Sequence, residues 1–223
     1  MSQNRSSAVM QQRKEAQDSL DDYPTQPWGV RALVEHVLKP ASLVLGTVWE
    51  PACNRGFMAR PLGEYFASVH ATDIFDYGFE TMAAVEDFLF PTTVAPHPID
   101  WVITNPPFRL AEEFVMKGLA IARVGCAMLV RSAFIESVGR YERLFKPSPP
   151  TFVAQFVERL PLVKGRVDPA AASATAYSWL VWVNGLPPQP TVWIPPCRAA
   201  LERSSDYSVA TISDSPLFEG EAA

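Results

Sequence analysis

The sequence predicts a single α/β domain in which a mainly parallel sheet carries helices on both faces. Three observations indicate this fold class. Apolar segments with strand character alternate along the chain with segments of helical periodicity, the order that builds parallel sheets. The chain has 223 residues and is 48% hydrophobic, which suits one domain of the larger sort. The last two strands lack an obvious crossover helix, which indicates an antiparallel strand at one edge.

The first half of the domain is predicted as a helix, a strand, a second helix and a second strand. Thr25 can cap the first helix, because its hydroxyl can accept from a free backbone amide, and Pro27 suits the first turn. Pro40 ends the apolar periodicity of this helix. The predicted elements are a helix over 27–39, a strand over 47–50, a helix over 57–67 and a strand over 69–73.

The second half continues the alternation of strands and helices. Its first strand must stop at about Asn105, because Pro106 and Pro107 cannot donate to a sheet ladder. The predicted elements are a strand over 101–104, a helix over 110–124, a strand over 126–130, a helix over 132–145, and strands over 151–157 and 176–183.

Composition and the two ends exclude several classes of protein. Residues 1–20 and 204–223 are polar and are expected to form a flexible arm and an acidic flexible tail, so that 21–203 form the domain. No apolar run approaches the roughly 18 residues of a membrane span, and the start is not that of a signal peptide, so we expect a cytoplasmic protein. The three cysteines show no zinc or disulfide spacing, so we expect no metal and three buried thiols.

A stiff turn follows the strand that ends at Asn105. Two consecutive prolines would hold the Asn105 amide, the Pro106 carbonyl and the Phe108 ring at one point. That point lies at the carboxyl end of a strand, where ligands bind in open α/β sheets. Taken alone, these four residues are equally compatible with a simple strand-ending turn.

Asn105-Pro106-Pro107-Phe108 resembles the Asn-Pro-Pro-(Tyr/Phe) signature of S-adenosylmethionine-dependent methyltransferases that methylate a planar nitrogen. The resemblance implies a Rossmann-like class I methyltransferase fold with a mainly parallel, seven-stranded sheet and an antiparallel edge strand. It also implies that the Asn105 amide oxygen and the Pro106 carbonyl accept the two hydrogens of the amine, while Phe108 stacks on the flat substrate. The implied catalytic residues are Asn105, Pro106, Pro107 and Phe108.

Upstream segments resemble the cofactor-binding elements of the same family. The loop after Glu50 resembles its first S-adenosylmethionine loop, although Asn54 stands where a glycine is common; asparagine tolerates positive φ. In this resemblance Glu50 meets the methionine ammonium and Asp73 accepts the ribose hydroxyls. Taken singly, each acid also suits an ordinary cap or surface residue. The implied cofactor-binding residues are Thr25, Trp28, Glu50, Ala52, Cys53, Gly56, Asp73, Asp87, Phe88 and Asn105.

The order of these motifs narrows the resemblance. The cofactor loop precedes the Asn-Pro-Pro-Phe turn, which is the gamma-type order of DNA amino-methyltransferases. The Tyr-Pro-Thr, Glu-Pro-Ala-Cys, Asn-Pro-Pro-Phe, Val-Lys-Gly-Arg and Trp-Ile-Pro-Pro-Cys segments look like those of small phage or prophage adenine methyltransferases. The implied activity is methylation of adenine N6 in DNA. An RNA base or protein glutamine remains open as the acceptor. An inactive fold that acts as a binding or anti-restriction partner also remains open, because Asn54 departs from the usual glycine of the cofactor loop.

The charge distribution supports a nucleic-acid partner. The chain has formal net charge −5, yet residues 123–166 contain eight basic side chains against three acidic ones. Such asymmetry indicates one face that accepts phosphate, with a solvated charged face as the alternative. No long segment remains for target recognition, so we expect binding to single- or double-stranded DNA with short specificity, or a homodimer or specificity partner. The candidate nucleic-acid-binding residues are Arg140, Arg143, Lys146, Lys164 and Arg166.

Overall fold

The structure is a computed structural model that describes residues 21–95 and 98–207. The expected flexible arm over 1–20 and most of the expected tail lie outside these residues. Within them, no helix is both long and apolar enough to cross a membrane.

Within the described residues, eight strands form one sheet in the order β3-β2-β1-β4-β5-β7-β6-β8. Strands β1 to β5 are parallel, β7 is antiparallel to β5 and to β6, and β8 is parallel to β6. The strands are β1 (Thr47–Glu50), β2 (Ser68–Asp73), β3 (Ala84–Val85), β4 (Trp101–Thr104), β5 (Gly125–Arg131), β6 (Phe152–Phe156), β7 (Tyr177–Val183) and β8 (Val192–Ile194).

This order confirms the predicted Rossmann-like, methyltransferase-type fold, with two differences in detail. The sheet has eight strands rather than seven, and the antiparallel strand β7 lies inside the sheet because β6 and β8 pair beyond it. Prolines precede and follow Val192–Ile194, so the sequence reads as a loop there. Prolines also restrict such a segment to the edge of a sheet, which is where β8 lies.

The helices are shorter than the sequence predicts. The segment predicted as a helix over 57–67 is helical only at Ala59–Leu62, with Gly63 at its end, and the segment over 132–145 breaks at Ser137. The described helices are α1 (Pro27–Leu33), continued by a π-helical turn (Val34–Leu38), α2 (Ala59–Leu62), α3 (Ala111–Ile121), α4 (Val138–Arg140), continued by a π-helical turn (Tyr141–Phe145), and α5 (Arg198–Leu201); 3₁₀ turns occur at Ser132–Ile135 and Ser204–Tyr207.

The sheet divides the core into two layers. Because side chains alternate along a strand, Trp101 and Ile103 pack in one layer with α1, whereas Val102 packs in the other with Phe114 of α3. Trp28 is fully buried in the first layer, where its ring meets Phe156 edge-on at 5.6 Å. Both faces of the central strands are therefore covered, and only the strand ends are available to a ligand.

The chain folds beyond the expected domain boundary at residue 203. Asp206 lies in a 3₁₀ turn, has 8% exposure and accepts two hydrogen bonds from Arg31 of α1, at 2.7 and 2.8 Å. Arg31 also pairs with Glu64 after α2. Residues 204–207 thus belong to the folded domain, because Asp206 pairs with the buried guanidinium of Arg31.

Candidate active site

A cavity that is partly open to solvent lies at the carboxyl ends of β1, β2 and β4. The lining combines three segments, which are residues 21–25, the loop after β1 and the turn after β4. The lining residues are Asp21, Tyr23, Pro24, Thr25, Glu50, Pro51, Ala52, Cys53, Asn54, Phe57, Met58, Asp73, Ile74, Tyr77, Asp87, Phe88, Asn105, Pro107, Leu110 and Phe114. The strap is defined here as residues 21–25.

Asn105 presents an unused acceptor at this cavity. Its Nδ2 donates to the backbone carbonyl of Tyr23 at 2.8 Å. Because that carbonyl can only accept, the amide nitrogen must face it and Oδ1 must point the other way. Asn105 Oδ1 is buried and has no hydrogen-bond partner among the described residues. A buried acceptor without a donor is costly, so its position suggests a donor from a ligand.

Glu50 presents a second unused oxygen. Its Oε1 accepts from the Thr104 hydroxyl at 2.6 Å, whereas the buried Oε2 has no partner among the described residues. Burial raises the pKa of the Glu50 carboxyl well above its ordinary range, and the nearby Asp73 charge raises this pKa further. A cation in the cavity would pair with Oε2 and restore the ionised form.

The loop after β1 has the conformation that the sequence predicts. Asn54 has φ of 51°, the left-handed region that asparagine tolerates in place of glycine. Asp73 Oδ2 accepts from the Asn54 backbone amide at 2.8 Å, and its Oδ1 accepts from the Phe75 amide at 3.0 Å. Asp73 therefore fixes the loop, while each of its oxygens keeps a lone pair for a ligand hydroxyl.

The strap connects the cofactor loop to the turn after β4. Asp22 accepts hydrogen bonds from Asn54 and Arg55, while Asp21 Oδ2 accepts from the Phe108 amide at 2.6 Å. These contacts were not predictable from the sequence, because an acid in a polar stretch is most often solvated. Thr25 lines the cavity and does not cap α1; Gln26 occupies the cap position without a side-chain hydrogen bond.

The far end of the cavity is aromatic. Phe88 is 2% exposed and packs edge-on against Trp49 at 5.1 Å, so most of its ring belongs to the core. Asp87 is exposed and uses Oδ1 to accept from the Leu89 amide at 2.9 Å. Ile74 and Tyr77, which the sequence did not single out, complete this end. Flat apolar walls with one acid suit a purine ring.

Phe108 lies outside the cavity, over the ends of β5 and β7. Its ring centroid is 5.4 Å from that of Tyr23 and 6.4 Å from that of Tyr177. The Arg131 guanidinium carbon lies 4.2 Å from the Phe108 ring centroid. The turn thus separates two environments, with Asn105 and Pro107 facing the cavity and Phe108 facing this cationic and aromatic group.

Besides Phe108, three predicted site residues do not line the cavity. Trp28 is in the core and does not line the cavity, which corrects its expected cofactor contact. Gly56 also does not line it; at φ of 78° it packs against Phe79, which would lie 2.2 Å from an added Cβ. Pro106 is buried and does not line the cavity either.

The predicted basic face is largely neutralised. Arg143 pairs with Glu112 at 2.7 Å, Lys146 with Glu142 at 2.8 Å, and Arg166 with Asp168 at 3.2 Å. Arg140 contacts Glu112 at 3.9 Å and stacks on Phe134. Glu112 and Asp168 lie outside 123–166, so the charge count over that segment overstates its free positive charge. Lys164 carries interactions of its own as well.

The cysteines are structural in character. Cys53, Cys126 and Cys197 are buried and free. Burial, assisted by the Glu50 and Asp73 charges, raises the pKa of the Cys53 thiol. Burial and the Glu158 charge raise the pKa of Cys197 to about 11, so neither thiol is an activated nucleophile. Residues 21–95 and 98–207 contain no group of three or more His, Cys, Asp or Glu side chains suited to a metal.

Comparisons with known proteins complete the description of the site. No protein-family model matches this chain, and no curated protein matches it significantly. A dimethyladenosine transferase from Plasmodium falciparum is 15% identical with a TM-score of 0.45, over 72% of this chain and 62% of that one, or less than two thirds of its length. The 23S rRNA methyltransferase ErmE is 17% identical with a TM-score of 0.44, over 71% of this chain and 68% of that one.

A third similar structure is the N-methyltransferase NodS from Bradyrhizobium japonicum WM9. It is 14% identical with a TM-score of 0.44, over 76% of this chain and all of that one. Similarities at this level carry no argument about activity. The fold class therefore rests on the strand order, and the chemistry rests on the residues around the cavity.

Proposed function

We propose that this protein transfers a methyl group from S-adenosylmethionine to the exocyclic N6 amine of adenine in DNA. The observation that carries the proposal is the buried Asn105 Oδ1, an acceptor without a donor beside a cavity at the carboxyl ends of the strands. The Asn-Pro-Pro-Phe sequence supports a planar nitrogen as the acceptor, and the gamma-type motif order supports adenine in DNA.

The cavity residues fit S-adenosylmethionine. Glu50 Oε2 is a buried oxygen in need of a cationic donor, and the methionine ammonium is one. Asp73 stands where ribose hydroxyls would donate, and Phe88, Ile74 and Tyr77 would hold the purine. When bound, the cofactor supplies a methyl group on a positively charged sulfur, so that one N–C bond forms as one S–C bond breaks and a neutral thioether leaves.

The turn after β4 would prepare the acceptor amine. Adenine N6 is a poor nucleophile because its lone pair is delocalised into the ring. Asn105 Oδ1 would accept one N–H and the Pro106 carbonyl the other, which favours a pyramidal nitrogen and stabilises its developing positive charge. Because Nδ2 is held by the Tyr23 carbonyl, Oδ1 is already oriented before the substrate arrives. The methylated nitrogen then releases one proton to water.

A duplex adenine would need to leave the base stack to reach this turn. Phe108 offers a ring face on which a flat base can stack. Positioning and electrostatics supply the catalysis, without a covalent enzyme intermediate.

Methyl transfer from labelled S-adenosylmethionine to separate DNA, RNA and protein pools tests the acceptor class. The proposal requires label in DNA. Label confined to RNA or to protein glutamine would move the activity to that acceptor. Cofactor binding without transfer to any pool would favour an inactive fold that acts as a binding partner.

We expect Glu50→Gln to weaken S-adenosylmethionine binding by about 10- to 100-fold. The change removes a buried charge-assisted hydrogen bond, worth roughly 1.5–3 kcal/mol, while keeping the shape of the side chain. Isothermal titration with the wild type as reference measures the change. Equal affinities of the wild type and the variant would mean that Glu50 does not bind the methionine ammonium.

The same variant should make the cofactor-free protein more stable at pH 7. The folded-state pKa of Glu50 lies above its ordinary value of 4.5, so the unfolded state loses this proton first as pH rises. The free energy of unfolding of the wild type therefore falls as the pH rises above about 4.5. The variant escapes this loss because Gln cannot ionise. Thermal unfolding without cofactor should give a higher Tm for the variant at pH 7, with the difference shrinking toward pH 4. A constant difference would contradict the buried-carboxyl explanation.

A further inference from the structure

Two arginines, one over the Phe108 ring and one next to Phe108 in the chain, form no ion pair with an acid of the described residues. Arg131 is the last residue of β5, is exposed and lies over the Phe108 ring at 4.2 Å. Arg109 directly follows Phe108 and is exposed too. Among the described residues, neither forms an ion pair with an Asp or Glu, in contrast to Arg143, Lys146 and Arg166.

The surroundings of Arg131 leave its guanidinium available to an anion. Arg131 and Tyr177 interact, because the Arg131 charge and its hydrogen bond partly oppose the rise in the Tyr177 pKa that burial causes. Asp21 lies beside the turn, and its Oδ2 accepts from the Phe108 amide. A guanidinium next to an aromatic ring is weakly hydrated, and its five N–H groups allow it to bind phosphate through two parallel hydrogen bonds.

We propose that Arg131 and Arg109 form a phosphate-binding site that holds the backbone of a nucleic-acid strand next to the base at Phe108. This inference rests on the proposed function, since it takes the acceptor base to lie on Phe108. It also places backbone binding at the turn after β4 rather than along α4 and its π-helical turn, where the cations are paired. The ligand is a single DNA strand, or a duplex opened at the acceptor base.

The test is the binding of a short fluorescent single-stranded DNA, measured by anisotropy over a series of salt concentrations. Arg131→Gln and Arg109→Gln should each weaken binding about tenfold, and each should lower the slope of log K against log salt by about 0.7. Arg131→Lys should keep most of the salt slope because it keeps the charge. The matched control is Arg123→Gln, since Arg123 is exposed, pairs with Asp100 and precedes β5 at the opposite end of the sheet.

The outcomes separate this site from the methyl transfer. Equal affinities and salt slopes for the wild type, both Gln variants and the control would overturn the phosphate site, even if methyl transfer to DNA occurs. A wild type that does not bind the strand would overturn it too. Arg131- and Arg109-dependent binding without methyl transfer would support the phosphate site and contradict the proposed function. Unchanged Tm and S-adenosylmethionine affinity in each variant establish that the fold is intact.

Discussion

Asn105→Ala is expected to lower kcat for methyl transfer about 10²- to 10³-fold, the usual cost of removing one preorganised group that meets developing charge. Alanine removes Oδ1, the buried acceptor beside the cavity, together with the hydrogen bond from Nδ2 to the Tyr23 carbonyl. The Asn105 side chain is not assigned to the cofactor ammonium, so S-adenosylmethionine affinity should change only a few-fold. Single-turnover transfer and cofactor titration measure the two effects separately.

Asn184→Ala is the matched control for this variant. Asn184 is exposed after β7, and its Nδ2 donates to the Ala122 carbonyl, at the end of the sheet opposite the cavity. It should leave both kcat and cofactor affinity unchanged. If Asn105→Ala keeps the wild-type rate, the turn after β4 does not act on the amine. If it loses cofactor binding as fully as activity, the role of Asn105 is to hold the cofactor.

Arg31→Met is expected to lower the free energy of unfolding by about 3–5 kcal/mol, because breaking one side of a buried ion pair leaves an uncompensated charge. The Arg31 and Asp206 side chains are 3% and 5% exposed. Arg31 also donates to the carbonyl of Leu201, the last residue of α5, at 2.7 Å, so the loss of contacts extends to the end of that helix. Urea unfolding measures the change. Because α1 follows the strap directly, loosening it should weaken cofactor binding as well.

Two further variants isolate the buried charge. Arg203→Met removes a half-exposed partner of Glu64 and should cost less than about 1 kcal/mol. Adding Asp206→Asn to Arg31→Met should recover part of the lost stability, because the stranded carboxylate is then neutral. If the double variant is less stable than Arg31→Met, the destabilisation comes from lost hydrogen bonds and packing rather than from an unpaired charge.

Periodicity and proline positions predicted most of the fold. The strands that end at Glu50, Asp73 and Thr104 were predictable, because each is an apolar run followed by a polar or proline-containing turn. Strand β8 was not, since three residues between prolines carry too little pattern. The short α2 reflects Pro61 and Gly63 in a segment whose apolar residues suggested a longer helix.

Local motifs placed most of the candidate site, whereas contacts between distant segments were not predictable. Glu50, Asp73 and Asn105 meet at the cavity because neighbouring parallel strands bring their carboxyl ends together. Trp28 was misplaced because an aromatic residue in a helix suits a core as well as a ligand wall. The pairing of Arg143 with Glu112 spans 31 residues, so local charge counting could not detect it.

The most direct measurement is the mass spectrum of nucleosides from DNA incubated with this protein and S-adenosylmethionine that carries a deuterated methyl group. We expect deuterated N6-methyl-2′-deoxyadenosine with the wild type and a far smaller yield with Asn105→Ala. Label on another base, or the same yield from both proteins, would contradict an Asn105-centred adenine methyltransferase.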